Sequence, residues 1–397
     1  MARRFLSPAL ADLRQDIAGS VPLDVVFAWA DSAGDQEAHD RILAPYLVRG
    51  TVVSSDASGL SRLSKERPLL DVLRLVQEPK ETIHAYGKAA GGEAVGIWAA
   101  DNTQMFYPAS VPAEDVVAAM AAALADNASQ EVRVGMAAHA GTYLRLAGGL
   151  FGADAEFVEH VAEDHTKGGE LVLSGAVRDA AERRFPGSTV PAADIRVAGE
   201  SLFRFRAAAV PAASKADGAY PAPFDRAFAD FIRRPGVSEA EQDAFLARYR
   251  RVGPVVFLKV RHRESRFLLD RLADWADASA AARQTSAAHA ADCVKCNGDI
   301  GIFLCPSPAE AERFALALRD AVGASGFSCN VGVADGEAFV FPLDHGGRDI
   351  AGVPVNLASK LSEEMGDFPD SVHILDGRGG EAFTAVISGV ELRGARH

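Results

Sequence analysis

Asp349, Asn356 and Lys360 form the pattern in this chain best suited to holding a nucleotide. They belong to the stretch Asp-Ile-Ala-Gly-Val-Pro-Val-Asn-Leu-Ala-Ser-Lys at 349–360. A helix is predicted after the glycine, and residues four apart share one helix face, so Asn356 and Lys360 are predicted side by side. An acid accepts hydrogen bonds from a base edge, an amide can bond a ribose hydroxyl, and a cation binds phosphate. Solvated helices carry the same spacing, so the interpretation depends on the rest of the chain.

Length and charge limit the classes of protein to consider. The 397 residues suit two domains rather than one core, and 48% hydrophobic with 24% charged residues is typical of globular proteins. A formal charge of −13 argues against binding a nucleic-acid backbone, which needs a basic face. The most apolar run, 116–125, is far shorter than the roughly 20 residues of a spanning helix. We therefore predict a cytoplasmic protein without membrane spans.

The four cysteines all lie in the second half of the chain, and Cys293 and Cys296 have C-x-x-C spacing. Such spacing can indicate zinc or redox chemistry. The segment alternates like a strand, which predicts that the two side chains point to opposite faces. We therefore interpret the cysteines as small buried hydrophobic residues.

The chain contains an internal repeat. Predicted strands, helices and a hairpin follow one another in the same order in both halves. Asp101 and Asp299 take the same place before a proline and differ by 198 in number, and Glu156 and Asn356 take the same place in their helices and differ by 200. Two copies of one domain of about 150 residues explain these agreements.

The repeat divides the chain into four predicted segments. Residues 1–45 form an N-terminal extension, 46–209 the first domain, 210–250 a helical connector rich in proline at its start, and 251–397 the second domain. In the first domain the helical pattern after the first strand is predicted to break at Pro79, because proline removes a helix hydrogen bond.

Taken together, the two repeats give one order of elements: strand, Asp, turn, helix, hairpin with Asp, helix, strand, Asp-x-x-Gly and helix. This order resembles that of the class III adenylyl/guanylyl cyclase catalytic domain. The resemblance covers most of both repeats. It implies an α+β fold of two ferredoxin-like βαββαβ domains packed head to tail as an intramolecular pseudo-heterodimer. It also implies two pseudo-symmetric sites, each taking metal-binding aspartates from one domain and nucleotide-binding residues from the other.

The first repeat matches the metal-binding half of that family's site. Asp56 ends an apolar strand before a glycine turn, and Asp101 lies in the hairpin. The resemblance implies that both bind two Mg²⁺ or Mn²⁺ ions, with the backbone of Ala57 as a further ligand, and these hard cations prefer oxygen ligands. The alternative is that the two aspartates only cap turns.

The second repeat matches the nucleotide-binding half. The resemblance implies that Lys295 and Asp349 select adenine, Asn356 orients the ribose, and Lys360 binds the α-phosphate in the transition state. Lys360 stands where the family usually has Arg, so it keeps the charge and loses the fork geometry. Arg393, in the late strand, would reach the triphosphate.

The second pseudo-symmetric site would combine the metal positions of the second repeat with the nucleotide positions of the first. It has lost nearly all of the family's functional residues. Lys259 replaces the first metal aspartate, and the nucleotide positions of the first repeat hold Ile97, Gly149, Glu156 and His160. Because the functional residues are lost at one site and kept at the other, we predict one working site and one degenerate site, which we call the retired site. The retired cleft is predicted to be more apolar and able to hold a small regulator, with Trp98 also lining it.

These observations predict an adenylyl cyclase that converts ATP to 3′,5′-cyclic AMP and pyrophosphate in a monomeric pseudo-heterodimer. One alternative is a cyclase-like regulatory protein that binds ATP or another ligand without turnover. Another is a cyclase that acts on a different nucleotide.

Overall fold

A computed structural model gives the structure of the chain in two compact units. It describes residues 23–58, 63, 66–96, 98, 102–146, 149–197, 199–206, 209, 212–218, 220–222, 224–261, 267–297, 299–344, 347–365, 368–377, 379–387 and 390–397. The first-repeat unit lies within Leu43–Pro223, and the second-repeat unit combines the described residues up to Ile42 with Phe224–His397. Each unit contains one large sheet with helices against it.

The elements follow in chain order. Two helices come first, α1 (Leu23–Ala30) and α2 (Gln36–Leu43). The first-repeat unit contains β1 (Leu47–Ser58), α3 (Leu69–Ala89), β2 (Glu93–Ala94), β3 (Thr103–Pro108), α4 (Ala113–Asp126), β4 (Arg133–Leu146), β5 (Gly149–Phe151), α5 (Ala153–His165), β6 (Leu171–Ser174), α6 (Gly175–Arg184), β7 (Thr189–Pro191) and β8 (Leu202–Phe205). The second-repeat unit contains α7 (Arg226–Ile232), α8 (Glu239–Leu246), β9 (Arg250–Arg261), α9 (Leu268–Ala288), β10 (Asp292–Asn297), β11 (Ile300–Leu304), α10 (Pro308–Ala324), β12 (Ser328–Pro342), β13 (Arg348–Ala351), α11 (Val353–Glu363), β14 (Val372–Leu375), β15 (Glu381–Ile387) and β16 (Val390–Arg396).

The two sheets have the same topology. The strand order is β2-β3-β1-β4-β6-β8-β7 in the first sheet and β10-β11-β9-β12-β14-β16-β15 in the second, with β5 added to β4 and β13 to β12. The pairs β4–β6 and β12–β14 are parallel, and their neighbours are antiparallel. Mixed sheets of eight strands with helices confirm the predicted α+β class and the predicted duplication.

Strand β1 is covered on both faces, which explains its apolar sequence. Val53 packs in a core with Ile83 of α3, whereas Val52 packs in a second core with Val158 of α5. Side chains alternate along a strand, so Asp56 lies on the same face as Val52. The acid therefore stands on the face that α5 covers.

Helix α3 runs through Pro79 without a break, so the predicted break is wrong. Proline removes one backbone hydrogen bond, but Val76 and Ile83 on either side are buried in the core. Packing of this apolar face keeps the helix continuous. Among the described residues, no helix has both the length and the apolar character needed to cross a bilayer.

The predicted placement of Cys293 and Cys296 on opposite faces is also wrong. The pairing of β10 with β11 shifts register between Cys293 and Lys295, and both cysteines pack against the same hydrophobic core. An extra residue in a strand interrupts the alternation of side chains. A hydrogen bond between the two thiols raises the pKa of Cys293 and lowers the pKa of Cys296.

Candidate functional site

Lys295 and Asp349 form a half-buried ion pair in the second-repeat unit. The Lys295 Nζ lies 3.4 Å from Asp349 Oδ1, and the two side chains are only 13% and 14% exposed. Lys295 stands in β10 and Asp349 in β13, strands that pair with β11 and β12 respectively. Asp349 Oδ1 also accepts a hydrogen bond of 2.9 Å from the backbone N–H of Ile350. The sheet thus brings together two residues that are 54 positions apart in the chain.

Arg348 attaches β13 to β10 beside this pair. Its guanidinium donates to both carboxylate oxygens of Asp292, at 2.7 and 3.0 Å, and to the carbonyl oxygen of Cys293 at 2.7 Å. These bonds raise the pKa of Arg348. Because Asp292 opens β10 and Arg348 opens β13, the contact fixes the two strands that carry Lys295 and Asp349. No motif in the sequence indicates this role for Asp292.

Helix α11 places Asn356 and Lys360 on one face, as predicted. The helix begins after Gly352, whose φ of 147° is a conformation that favours glycine. A side chain at Gly352 would stand 2.8 Å from the carbonyl oxygen of Glu337, so close packing also requires glycine there. Asn356 is exposed, whereas Lys360 is half-buried and donates to Glu364 Oε1 at 3.0 Å.

Arg393 lies in β16 and is exposed. Its Nε donates to Glu391 Oε1 at 2.6 Å, within the same strand. Its backbone pairs with Thr384 of β15. Its carbonyl oxygen also accepts from the backbone N–H of Asp376, after β14, at 2.9 Å. The described contacts thus join Arg393 to its hairpin and to the end of β14, and not to Lys295 or Asp349.

Asp56 lies near the end of β1, half-buried, and the buried Ala57 follows it. Strand β3 begins at Thr103, which pairs with Ser55, and their hydroxyl oxygens are 2.6 Å apart. Asp101, the second predicted metal ligand, lies outside the described residues. In the part of the chain that the structure describes, no group of three or more His, Cys, Asp or Glu side chains could hold a metal ion.

The register of the strands makes Lys259 the counterpart of Asp56. Gly50 in β1 and Gly253 in β9 each face a glycine of the next strand in the sheet. Asp56 and Lys259 each stand six residues after these glycines. The two sheets therefore carry an acid and a base at equivalent positions, as the sequence comparison predicted.

Lys259 is held between two carboxylates. Its Nζ lies 2.9 Å from Asp299 Oδ2 and 3.9 Å from Glu363 Oε1 of α11. An ammonium group thus compensates carboxylates contributed by a hairpin and a helix. The same place in the first-repeat unit has the acid Asp56 instead.

Helix α5 supplies carboxylates on the face of the sheet that Asp56 shares. Asn102 Nδ2 donates to Glu163 Oε1 at 2.8 Å, and Gln104 Nε2 donates to Glu159 Oε1 at 2.8 Å. Burial, with the charge of Glu163 nearby, raises the pKa of Glu159 to about 7. Sequence reasoning missed these acids, although Glu163 precedes Glu363 by the same 200 residues that separate the two helices.

The retired nucleotide positions lie where the repeat predicts them. Gly149 opens β5, while Glu156 and His160 lie on α5, and His160 Nδ1 is 2.7 Å from Asp164 Oδ2. Ile97 lies outside the described residues. Trp98 is 2% exposed and packs against core rings, so its predicted role in lining an apolar cleft is wrong.

Core packing in the first-repeat unit accounts for the position of Trp98. Its indole N–H donates to the carbonyl oxygen of Gln104 at 3.2 Å. The Nζ of Lys80 donates to the Trp98 carbonyl oxygen at 3.0 Å. The polar groups of this tryptophan are therefore satisfied inside the unit.

Comparison with known proteins identifies the fold. No protein-family model and no curated protein matches the sequence. Among solved structures, a class III adenylyl cyclase-like ATP-binding protein from Pseudomonas aeruginosa matches with 14% identity and a TM-score of 0.50, over 83% of this chain and 83% of that one.

Single-domain structures match about two fifths of the chain. The adenylyl cyclase CyaB from P. aeruginosa matches with 14% identity and a TM-score of 0.36, over 42% of this chain and 97% of that one. The guanylyl cyclase Cya2 matches with 17% identity and a TM-score of 0.35, over 43% of this chain and 98% of that one. The match at a TM-score of 0.50, which extends over 83% of both chains, shows that the chain carries two domains with the fold of the class III nucleotide cyclase catalytic domain.

Proposed function

We propose that the chain is an adenylyl cyclase that converts ATP to 3′,5′-cyclic AMP and pyrophosphate. The domain within 46–209 supplies the metal-binding half of one composite site, and the domain within 251–397 supplies the nucleotide-binding half. One chain provides both halves in a head-to-tail pseudo-heterodimer. The half-buried pair of Lys295 and Asp349 is the observation that carries this proposal.

The pair has the chemistry to read adenine. The Lys295 ammonium donates to N1, and the Asp349 carboxylate accepts from the 6-amino group. At 3.4 Å the two groups are farther apart than the roughly 2.8 Å of a strong charge-assisted hydrogen bond, so each keeps capacity for a base edge. Guanine presents a donor at N1 and an acceptor at position 6, and leaves both groups unpaired.

The acids of the first repeat fit a divalent metal. Asp56 and Asp101, with the Ala57 carbonyl, would hold two Mg²⁺ or Mn²⁺ ions. In the second repeat Lys259 replaces the first metal-binding acid, whereas the first repeat keeps an aspartate at both predicted metal positions, Asp56 and Asp101. Bound there, the ions supply the Lewis acidity that favours loss of the ribose 3′-hydroxyl proton and neutralise the triphosphate.

Residues of the second repeat position the rest of the nucleotide. The Asn356 amide orients the ribose, so that its 3′-oxygen faces the α-phosphate. Lys360, one helical turn further, donates to the α-phosphate as negative charge develops there. Arg393 contributes positive charge toward the triphosphate from the late strand.

The decisive experiment combines purified full-length protein with Mn²⁺ and each of the four nucleoside triphosphates. We expect cyclic AMP and pyrophosphate from ATP and little product from the others. Asp56→Ala should abolish turnover while the protein still binds ATP, because the nucleotide residues lie in the other repeat. Full activity of Asp56→Ala would refute the metal site.

A second candidate function is nucleotide binding without turnover. It is favoured by the ion pair of Lys360 with Glu364, which engages the ammonium within its own helix. A structurally similar protein is also described as ATP-binding. Tight ATP binding with no cyclic product from any triphosphate would support this function and exclude the first.

A further inference from the structure

The first-repeat unit contains an open pocket that the proposed cyclase site does not use. Its cavity volume is about 540 Å³, and it lies where the end of α4, the start of β4 and the loop before β6 meet. Its polar lining side chains are Asn127, Arg133, Lys167, Glu170 and Arg206.

The pocket is positively charged. Arg133, Lys167 and Arg206 contribute three positive charges against the single negative charge of Glu170, a sum of +2 in a chain of −13. Glu170 is itself shared, because Arg204 Nε lies 3.1 Å and Arg206 Nη2 lies 3.5 Å from its Oε1. The only described partner that the Arg133 guanidinium has is a neutral carbonyl, that of Ala128 at 3.0 Å.

The surrounding charges do not cancel this excess. Asp194 is one nearby acid, and both its oxygens accept from Arg204, at 2.5 and 2.7 Å. This contact holds the pKa of Asp194 low, at about 2, so the Arg204–Asp194 pair is neutral as a whole. Two further acids beside the pocket are also paired, Asp126 with Lys215 and Glu131 with Arg67. The pocket beside these pairs keeps its positive charge.

A buried amide in the pocket wall has no hydrogen-bond partner. Asn127 is 2% exposed, and neither its Nδ2 nor its Oδ1 contacts a polar atom of the described residues. An unpaired buried amide is energetically unfavourable, so such groups are rare unless a ligand or water satisfies them. The amide N–H groups are donors of the kind that an oxyanion accepts.

The rim of the pocket packs against the strand that carries Asp56. A side chain at Gly168 would stand 2.7 Å from both Ser58 Oγ and Arg133 Cβ, so the loop lies directly on these residues. Ser58 Oγ also donates to the Arg133 carbonyl oxygen at 3.1 Å. Arg133 pairs with Ser58, the last residue of β1, which lies two residues after Asp56. A ligand held by Arg133 would therefore lie close to the end of the strand that carries Asp56.

We propose that this pocket binds a small oxyanion, a metabolite that bears phosphate or several carboxylates. Arg133 and Lys167, whose side chains line the cavity, neutralise its charge. Charge-assisted hydrogen bonds from guanidinium and ammonium groups are the strongest of such contacts. This site is separate from the residues assigned to ATP, so it does not depend on cyclase activity.

Calorimetric titration of the full-length protein with inorganic phosphate and, separately, with citrate tests the proposal. Binding of either anion is expected, and comparing them identifies the preferred oxyanion. Loss of one charge-assisted contact in Arg133→Ala or Lys167→Ala should weaken binding about tenfold. The matched control is Arg226→Ala, which removes an exposed arginine of the second-repeat unit and should bind like the unaltered protein.

Two further arms make the result specific to this pocket. Lys360→Ala should leave the anion affinity unchanged, because that lysine belongs to the proposed nucleotide site. Hydrogen exchange of residues 166–170 should slow when phosphate is added. The proposal is overturned if neither anion binds, or if the Arg133→Ala and Lys167→Ala proteins bind as tightly as the Arg226→Ala control.

Discussion

Lys259 Nζ lies 2.9 Å from Asp299 Oδ2, at the position where the equivalent strand of the first repeat carries Asp56. An internal cation therefore stands beside the hairpin acid of one repeat and is absent from the matching place in the other. This contrast gives a physical basis for the different fates of the two predicted sites. Lys259 removes one of the two predicted metal-binding carboxylates from the second repeat, whereas Asp56 keeps it in the first.

Lys259→Met should destabilise the second-repeat unit, because Asp299 and Glu363 would lose their shared cation. Both partners are partly exposed, so we expect a loss of only about 1 kcal/mol in the free energy of unfolding. Urea unfolding measures it. Arg226→Met is the control, since its pair with Asp230 is highly exposed. Equal unfolding midpoints for the two variants would show that the Lys259 contact contributes nothing.

Exchanging the base-reading pair should change nucleotide preference. Lys295→Glu combined with Asp349→Cys removes the donor for adenine N1 and the acceptor for its amino group, and offers an acceptor to guanine. We expect kcat/KM for ATP to fall at least about tenfold relative to GTP, which is the effect of about 1.4 kcal/mol. A preference identical to that of the unaltered enzyme would count against the assignment.

Arg348→Ala should loosen β13 and displace Asp349 without touching the nucleotide. The ion pair with Asp292 is about half exposed, so stability should fall by at most about 1 kcal/mol. The larger effect should be a partial loss of discrimination between ATP and GTP. Asp292→Ala should produce the same loss, and the double variant should add little, because both changes break one contact. Additive losses would mean that Arg348 acts elsewhere.

The repeat, the sheets and the helix that carries Asn356 could be predicted because they follow from periodicity and spacing within each copy. The bulge at Cys293 and the continuity of α3 through Pro79 could not, because they depend on a partner strand and on core packing. The same holds for Arg348 and Asp292, which are 56 residues apart and meet only when β10 and β13 have formed. Trp98 was misplaced because an apolar residue beside a predicted cleft suits the core equally well.

Glu159 should make stability depend on pH. Burial raises the pKa of Glu159 from 4.5 to about 7, so the folded state holds its proton over a range where the unfolded state has lost it. The contribution of Glu159 to the free energy of unfolding is fully present below about pH 4.5 and is lost as the pH rises to about 7. Glu159→Gln removes the titration, so its stability relative to the unaltered protein should rise by about 3 kcal/mol across that interval. Parallel stability curves from pH 4.5 to 8 would refute the raised pKa.

The proposed role of Lys360 separates the two candidate functions, turnover and nucleotide binding alone, and its pairing with Glu364 can be tested directly. Glu364→Gln removes the carboxylate that accepts from the ammonium at 3.0 Å, and leaves Lys360 able to donate to phosphate. We expect a severalfold rise in ATP affinity. Lys360→Arg restores a planar fork that can bind two phosphate oxygens at once, so it should raise kcat about tenfold, since such contacts strengthen as charge develops. Ser359→Ala, which removes the neighbouring contact with Glu363, is the matched control and should change neither parameter. If neither variant alters ATP affinity or turnover, Lys360 does not contact the phosphates, and the catalytic charge must come from another residue.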